Sequence, residues 1–151
     1  MEEGNQSPFS WFKHNGSYQS EWIDSLSFDG TKSLMLTSNN DVGEFGYWGQ
    51  TISKNIPYGK KLRFSCQIKL VGVAGEGVSI ALRGDNDTAG VFFHTTQGND
   101  YIAGNEDWRK YSVEMPSAGI PDDVTQIFVF VILLNNTEGT VYFDDFELKA
   151  F

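Results

Sequence analysis

The sequence predicts an all-β fold, specifically a two-sheet antiparallel β-sandwich of the jelly-roll type. Aromatic residues make up 15% of the chain, and 16 glycines divide it into short segments. Within these segments apolar side chains alternate with polar ones, and none carries the apolar period of an amphipathic helix. About nine or ten short strands separated by turns is the pattern of two stacked antiparallel sheets.

The length of the chain predicts a single domain. Its 151 residues are enough to bury a substantial core without disulfides, and no internal repeat or linker divides residues 1–151. The sequence opens at Met1 and Glu2 without a leader, so we expect a module excised from a longer, exported protein.

The charge balance restricts the partners. With 11 Lys and Arg against 20 Asp and Glu, the net charge is −9, which disfavours nucleic acid and acidic membrane surfaces. No stretch approaches the roughly 18 apolar residues of a membrane-spanning helix. We therefore expect no nucleic-acid or membrane partner. We also expect the protein to be a monomer.

The first half of the chain alternates predicted strands with turn signals. Residues 2–15 hold aromatic residues without periodicity and predict an extended segment along the edge of the sandwich. The Asp29-Gly30 and Pro57–Lys60 segments are strong turn signals, and a polar loop is expected at 39–46. The predicted strands between these features are 21–28, 33–37 and 47–52.

The second half begins with the clearest strand of the chain, residues 61–71. One face carries the apolar side chains Leu62, Phe64, Cys66, Ile68 and Leu70. The lone Cys66 is therefore expected in the core as a small hydrophobe and not as a catalytic thiol. A turn is predicted at 72–77, and the remaining strands are expected at 78–83, 91–96, 108–115, 125–134 and 140–149.

The last strand carries two adjacent carboxylates, Asp144 and Asp145. Because side chains alternate across a strand, the two cannot share a face, and one must point inward. A buried carboxylate without a partner costs several kcal/mol. The pair therefore predicts either a structural calcium site or an inward Asp that caps backbone amides where the strand bends.

Several short motifs occur along the chain in an order that resembles a known family. They are Glu2-Glu3-Gly4 with Trp11 downstream, the Asp29–Leu34 turn, Trp48-Gly49, the Pro57–Lys60 turn before Leu62–Ser65, the Trp108 strand ending at Pro116, and Val141–Phe146. Together they resemble carbohydrate-binding modules of families 4, 9 and 22, which are galactose-binding-like jelly rolls. The resemblance covers nearly the whole chain.

The resemblance implies a structural calcium that joins the first strand, the turn before residues 33–37 and the last strand. Its ligands would be the Glu2 side chain, a carbonyl near Lys32 and one carboxylate of the Asp144-Asp145 pair, with Asp145 preferred. Such oxygen ligands suit Ca²⁺, whereas the Cys and His ligands of zinc sites are missing.

The resemblance also implies a groove on the concave sheet, where aromatic rings cover the apolar faces of sugar rings and polar side chains bind hydroxyls. Trp48 is the expected platform, with burial in the core as the alternative. A register shifted by one residue would put Tyr47 in its place. Further candidates are Arg83 and Gln67 on polar strand faces, His94, the loop residue Tyr101, and Glu138. The alternatives are a solvated face for Arg83 and Gln67 and a structural role for His94.

Catalysis is not expected, because the acidic residues cluster in turns and no nucleophile elbow, phosphate loop or zinc motif is present. We therefore predict a non-catalytic module that binds a plant cell-wall β-glycan, with xylan first and mixed-linkage glucan or cellulose chains second. Its expected partner is a glycoside hydrolase domain in the same secreted, extracellular or cell-surface chain.

Two other functions stay open. A spacer or interaction module of the same fold predicts that Trp48 and Tyr101 are buried or far apart, whereas glycan binding predicts two exposed aromatic residues on one concave face. A small catalytic jelly roll would need paired carboxylates in a cleft.

Overall fold

The computed structural model describes Glu2, Gly4 and residues 11–14, 18–38 and 45–151. These residues form nine β-strands and no helix. The strands are β1 (Trp11–His14), β2 (Gln19–Ile23), β3 (Ser33–Ser38), β4 (Gly46–Ile52), β5 (Leu62–Asp85), β6 (Gly90–Thr95), β7 (Ile102–Glu114), β8 (Gln126–Leu133) and β9 (Thr137–Ala150). No helix that could span a membrane occurs in this part of the chain.

The strands pair antiparallel in two sheets that share β5. The first sheet has the order β2-β3-β9-β5-β7 and uses the first half of β5, from Leu62 to Gly75 on its β9 side. The second sheet has the order β1-β4-β8-β5-β6 and uses Val78 to Asp85. This is the predicted two-sheet antiparallel sandwich.

Strand β5 differs from the sequence prediction, which divided it into two strands with a turn at 72–77. The structure has one continuous strand that bends in this segment, where Gly72, Gly75 and Gly77 have φ of 61°, 111° and 94°. A Cβ on Gly75 would lie 2.0 Å from the carbonyl oxygen of Asn136. Glycine therefore serves here to bend a strand between two sheets and not to reverse the chain.

The core lies between the two sheets and follows the alternation of the strands. The five predicted inward residues of β5, from Leu62 to Leu70, are all buried, as are Val78, Ile80 and Leu82 of its second half. The burial of Cys66 is confirmed, and burial raises the pKa of its thiol above the ordinary value, which opposes a nucleophilic role.

Other strand boundaries also moved. Strand β2 covers Gln19–Ile23 instead of 21–28, and β7 begins at Ile102, six residues before the expected start at Trp108. Of the extended segment predicted at 2–15, the description covers Glu2, Gly4 and β1. The expected loop at 39–46 lies outside the described residues up to position 44.

Candidate ligand-binding groove

A groove of about 690 Å³ lies on the outer face of the second sheet. Strands β4, β8, β5 and β6 alternate, so their inward side chains form the core and their outward ones form the groove. The described residues that line it are mainly apolar or aromatic: Phe45, Tyr47, Val91, Phe92, Phe93, Phe130, Ile132 and Leu134, with Arg83, Gly90 and Gln97.

The aromatic rings at one side of the groove contact one another. Tyr47 stacks on Phe45 with ring centroids 5.9 Å apart and meets Phe130 edge-on at 5.2 Å. Phe12 of the edge strand β1 packs edge-on against both Tyr47 and Phe130 at 6.2 Å. A Cβ on Gly49 would lie 2.6 Å from the Phe12 ring, so this glycine makes room for the ring.

Phe93 stands on the other side of the groove, on strand β6. It is 57% exposed, and Phe45 on the opposite side is 42% exposed. The groove is therefore bordered by exposed aromatic side chains on two sides, which is the arrangement expected for glycan binding. The sequence pattern did not single out Phe45, Phe93 or Phe130. One signal could have found Phe130, because β8 is apolar on both faces and so has an apolar outer face.

The prediction that Trp48 is the platform is wrong. Trp48 has no exposed surface, and its indole Nε1 donates a hydrogen bond to the Met35 carbonyl of the first sheet at 3.2 Å. It pairs with Val131, another core residue, whereas Tyr47 pairs with the outward Ile132. The register of β4 thus puts Tyr47 in the groove, as the alternative register anticipated.

Arg83 lies in the groove, and its charge is matched by a neighbour. Its Nε and Nη2 donate to Asp85 Oδ1 and Oδ2 at 2.8 and 2.9 Å. The guanidinium carbon lies 5.6 Å from the centroid of the Phe128 ring. The planar group is therefore held by a bidentate ion pair and an aromatic face.

Tyr101 is 74% exposed and lies beyond one end of the groove. Its hydroxyl donates to the Gly75 carbonyl at 2.7 Å. It lines a smaller cavity of about 260 Å³, which shares Gln97 and Leu134 with the groove. Tyr101 can therefore extend the binding surface, but the described groove does not include it.

The other three candidates are not in the groove. Gln67 belongs to the first half of β5, so it lies on the outer face of the first sheet, away from Arg83. His94 stacks on Phe92 at 5.9 Å and lines a separate cavity of about 500 Å³ with Asp100 and Glu114. Glu138 is exposed and pairs with Ala74 at the bend of β5. Gln67 was expected beside Arg83 because the sequence divided β5 into two strands that could have been neighbours, whereas both residues lie on one strand.

The carboxylate pair of β9 lies in a second, acidic cleft, and its buried member is Asp144. Asp144 is 3% exposed, whereas Asp145 is exposed and has φ of 53° where the pairing of β9 with β5 shifts. The inward carboxylate of the pair is therefore Asp144, whereas the resemblance favoured Asp145 as the calcium ligand. A β-bulge interrupts the alternation of side chains at this point of β9, so alternation alone does not determine which of the two is buried.

Backbone amides satisfy part of the hydrogen-bonding capacity of the Asp144 carboxylate, as the capping alternative predicted. The amides of Phe28 and Asp29 each donate to its Oδ2 at 2.9 Å. Burial raises the pKa of the Asp144 carboxyl, the amides of Asp29, Asp145 and Phe28 oppose this rise, and the negative charge of Glu2 adds to it. A negative group thus lies close to a carboxylate that is already poorly hydrated.

Glu2 closes the same cleft, and Gly30 leaves space for it, since a Cβ there would lie 2.6 Å from Glu2 Oε1. Glu2 accepts hydrogen bonds from the amides of Thr31 and Lys32, both at 3.3 Å. The Lys32 ammonium lies over the Trp22 ring at 4.4 Å. Only the backbone of Lys32 therefore faces Glu2.

The cleft offers oxygen donors of the type that Ca²⁺ prefers, since Glu2, Asp144 and Asp145 all line it. Within the described ranges, no group of three or more His, Cys, Asp or Glu side chains has the spacing of a metal site. Calcium would thus need backbone carbonyls or water beside the Glu2 and Asp144 carboxylates. The donor chemistry fits the ion on those terms.

No protein-family model matches the sequence, and no curated protein matches it. The similarity to solved structures is one of fold. A cyclase from Fischerella sp. TAU in complex with 4-(1H-indol-3-yl)butan-2-one has a TM-score of 0.69 at 14% identity, over 96% of this chain and 86% of that one. The CBM22-1 xylan-binding domain of Paenibacillus barcinonensis Xyn10C has a TM-score of 0.61 at 12% identity, over 97% and 88%.

The enzymatically active domain of the bacteriophage CBA120 tailspike protein 4 has a TM-score of 0.66 at 12% identity, over 95% of this chain and only 20% of the tailspike chain. Carbohydrate-binding modules of families 61 and 16 are also similar in structure. At these identities the comparisons establish the fold. The predicted all-β sandwich is confirmed, and so is its similarity in fold to carbohydrate-binding modules.

Proposed function

We propose that the protein is a non-catalytic carbohydrate-binding module that holds a β-glycan chain in the groove of the second sheet, with xylan favoured and β-glucan second. The observation that carries the proposal is the open groove bordered by the exposed rings of Phe45 and Phe93, with Tyr47 between β1 and β8. Pyranose rings present apolar C–H faces that such rings can cover, and Arg83 can donate to hydroxyls.

The charges in the groove support binding without hydrolysis. Glycosidases use two carboxylates on either side of the bond that they cleave. The described residues that line the groove include no Asp or Glu. The proposed role is therefore to keep an attached glycoside hydrolase near its polysaccharide in the extracellular space, where tethering raises the local concentration of substrate.

The first test is affinity electrophoresis in native gels that contain xylan, β-glucan or mannan. We expect retardation by at least one polymer, and Phe93→Ala should weaken it by about tenfold or more because it removes an exposed border of the groove. The matched control is Phe28→Ala, which removes a ring that is 46% exposed and contacts Trp108 on the other sheet. No retardation by any polymer, or an equal effect of the two variants, would contradict the proposal.

A second candidate function is the binding of a planar, apolar small molecule. The observation in its favour is the lining of the groove, in which eight of the eleven described residues are apolar or aromatic. The cyclase of the same fold in complex with an indole derivative supports this candidate. Isothermal titration calorimetry with indole would show saturable binding that Phe93→Ala abolishes, while the polysaccharide gels would show no retardation.

Trp48 and Tyr101, the two residues that distinguish a spacer module from a glycan-binding one, give a mixed result. Trp48 is buried and Tyr101 is exposed, so this pair does not form a binding surface. Phe45 and Phe93 instead supply the two exposed aromatic residues on one face. For this reason the glycan-binding proposal is preferred.

We also propose that a structural Ca²⁺ ion lies between Glu2 and Asp144 in the acidic cleft. The support is the pairing of two carboxylates in one cleft, where the charge of Glu2 adds to the raised pKa of buried Asp144. A divalent cation would remove this repulsion and stabilise the charged form of both groups.

A further inference from the structure

Arg83 is the only charged side chain among the described residues that line the groove. A lone Arg in a binding groove would favour anionic ligands, because guanidinium groups bind carboxylates in a bidentate geometry. In this protein that geometry is already occupied by Asp85, at 2.8 and 2.9 Å. The ion pair therefore changes which ligands the groove can accept.

The ion pair is held by its place in the fold. Residues 83 and 85 are two apart on β5 and pair in regular register with Phe128 and Gln126 of β8, so both side chains lie on the outer side of the strand. The Asp85 side chain is 17% exposed, compared with 47% for Arg83, so the carboxylate is the more buried partner. The Asp85 carbonyl accepts the Thr125 amide at 2.9 Å, which fixes its backbone.

Asp85 leaves part of Arg83 available to a ligand. A guanidinium has five N–H donors, and the Nε and one Nη2 hydrogen point at Asp85. The remaining donors can bind hydroxyl oxygens, which carry no charge. A ligand carboxylate, in contrast, would have to displace Asp85 or lie beside it, with its charge unmatched in a largely apolar groove.

We propose that Asp85 is a positioning residue that sets the specificity of the groove, so that it binds uncharged glycan chains in preference to chains that carry uronic-acid carboxylates. This inference rests on the proposed glycan-binding function. Asp85 acts through Arg83, which it neutralises and orients. The overall charge of −9 adds long-range repulsion of acidic chains.

The test compares Asp85→Asn with wild type on two matched ligand pairs. These are unsubstituted xylan with glucuronic-acid-substituted xylan, and cello-oligosaccharides with their C6-oxidised forms. Wild type should prefer the uncharged member of a pair by about tenfold or more, and Asp85→Asn should lose this preference. The gained affinity for the acidic member should fall as salt is raised, because it comes from the charge of Arg83.

Asp87→Asn is the matched control, because it removes the same charge from the exposed loop that follows β5 without contacting Arg83 in the described structure. Asp87→Asn should keep the wild-type preference. If Asp85→Asn lowers the melting temperature, Asp85→Ser serves as the second variant and should also lose the preference.

The outcomes separate this inference from the function on which it rests. If wild type binds no glycan of either pair, the proposed function and the inference both fail. If wild type binds glycans but accepts acidic and uncharged members equally, or if Asp85→Asn and Asp87→Asn keep the same preference, glycan binding stands and the role of Asp85 is overturned.

Discussion

The outer faces of the two sheets differ in the charged side chains that they carry. The first sheet carries a row of ion pairs, including Arg63 with Glu114 at 2.8 Å and Lys69 with Asp107 at 3.1 Å. Beside them Tyr111 donates to Glu106 at 2.5 Å, and burial together with Glu106 raises the pKa of Tyr111 to about 12. The groove of the second sheet has aromatic rings instead, and its one described charge is neutralised by Asp85.

The contrast indicates which of the two faces carries an exposed apolar surface suited to binding a ligand. Ion pairs and polar side chains keep the first sheet hydrated at little cost or gain in stability. The exposed rings of Phe45 and Phe93 do not keep the second sheet hydrated in this way. Contiguous exposed apolar patches of this kind are typical of binding sites. The same strand, β5, supplies Arg63 and Lys69 to one face and Arg83 to the other.

The largest expected effect separates the groove from the core directly beneath it. Trp48→Ala should lower the free energy of unfolding by about 3–5 kcal/mol, because it leaves a cavity in the core. Tyr47→Ala should cost about 1 kcal/mol, since it removes ring contacts at a half-exposed position, yet it should abolish retardation by the bound polysaccharide. Urea denaturation and the native gels measure the two effects. Equal losses of stability would show that the two faces of β4 are not distinct.

The next effect concerns the acidic cleft. Asp144→Asn keeps an acceptor for the amides of Phe28 and Asp29 but removes the buried charge beside Glu2. In chelator the variant should melt at or above wild type. In calcium at about 100 times its dissociation constant, wild type should gain about 2.7 kcal/mol, which the variant should largely lose. An equal response of both proteins to calcium would contradict the proposal that the ion binds in this cleft.

The dependence on pH follows from the raised pKa of Asp144. Because the folded protein binds this proton more tightly than the unfolded chain, the contribution of Asp144 to stability in chelator is fully present below the ordinary Asp pKa. It is lost as pH rises through the folded value. The advantage of Asp144→Asn over wild type should therefore be seen at neutral pH and disappear in acid.

The smallest effect is expected on the charged face. Glu114→Gln breaks the ion pair with Arg63, whose partners are both 40% exposed, and should change the free energy of unfolding by less than about 1 kcal/mol. Polysaccharide retardation should be unchanged. A loss of binding in this variant would mean that the first sheet, and not the groove, contacts the glycan.

The fold could be predicted because alternation is a local property. Leu62 to Leu70 fix which face of β5 is buried, and this needs only the sequence of one strand. The bend at residues 72–77 could not be predicted in the same way. Glycines with positive φ occur in turns and in bent strands alike, and the partner strands β8 and β9 decide between them.

The site was predicted less well, because it depends on single-residue register. Tyr47 and Trp48 are both aromatic, and only their pairing with Ile132 and Val131 determines which is exposed. The same difficulty applies to Asp144 and Asp145, because a β-bulge interrupts the alternation of side chains there. No residue type in the sequence indicates the bulge. Arg83 lines the groove, where the sequence predicts a polar contact with the ligand, whereas its partner Asp85 follows the predicted strand 78–83 and was not singled out.

The shared strand also determines the order in which the molecule can form. Leu62 pairs with Ala150 and Asp85 with Gln126, so both halves of β5 depend on strands that are synthesised much later. The first sheet cannot close on the ribosome before β9 is made, and the second cannot close before β8 is made. The entropy cost of closing these long loops is offset only once the partner strands form their contacts. The groove therefore cannot form before β8 has been synthesised, and a nascent chain that ends before Leu134 lacks part of its lining.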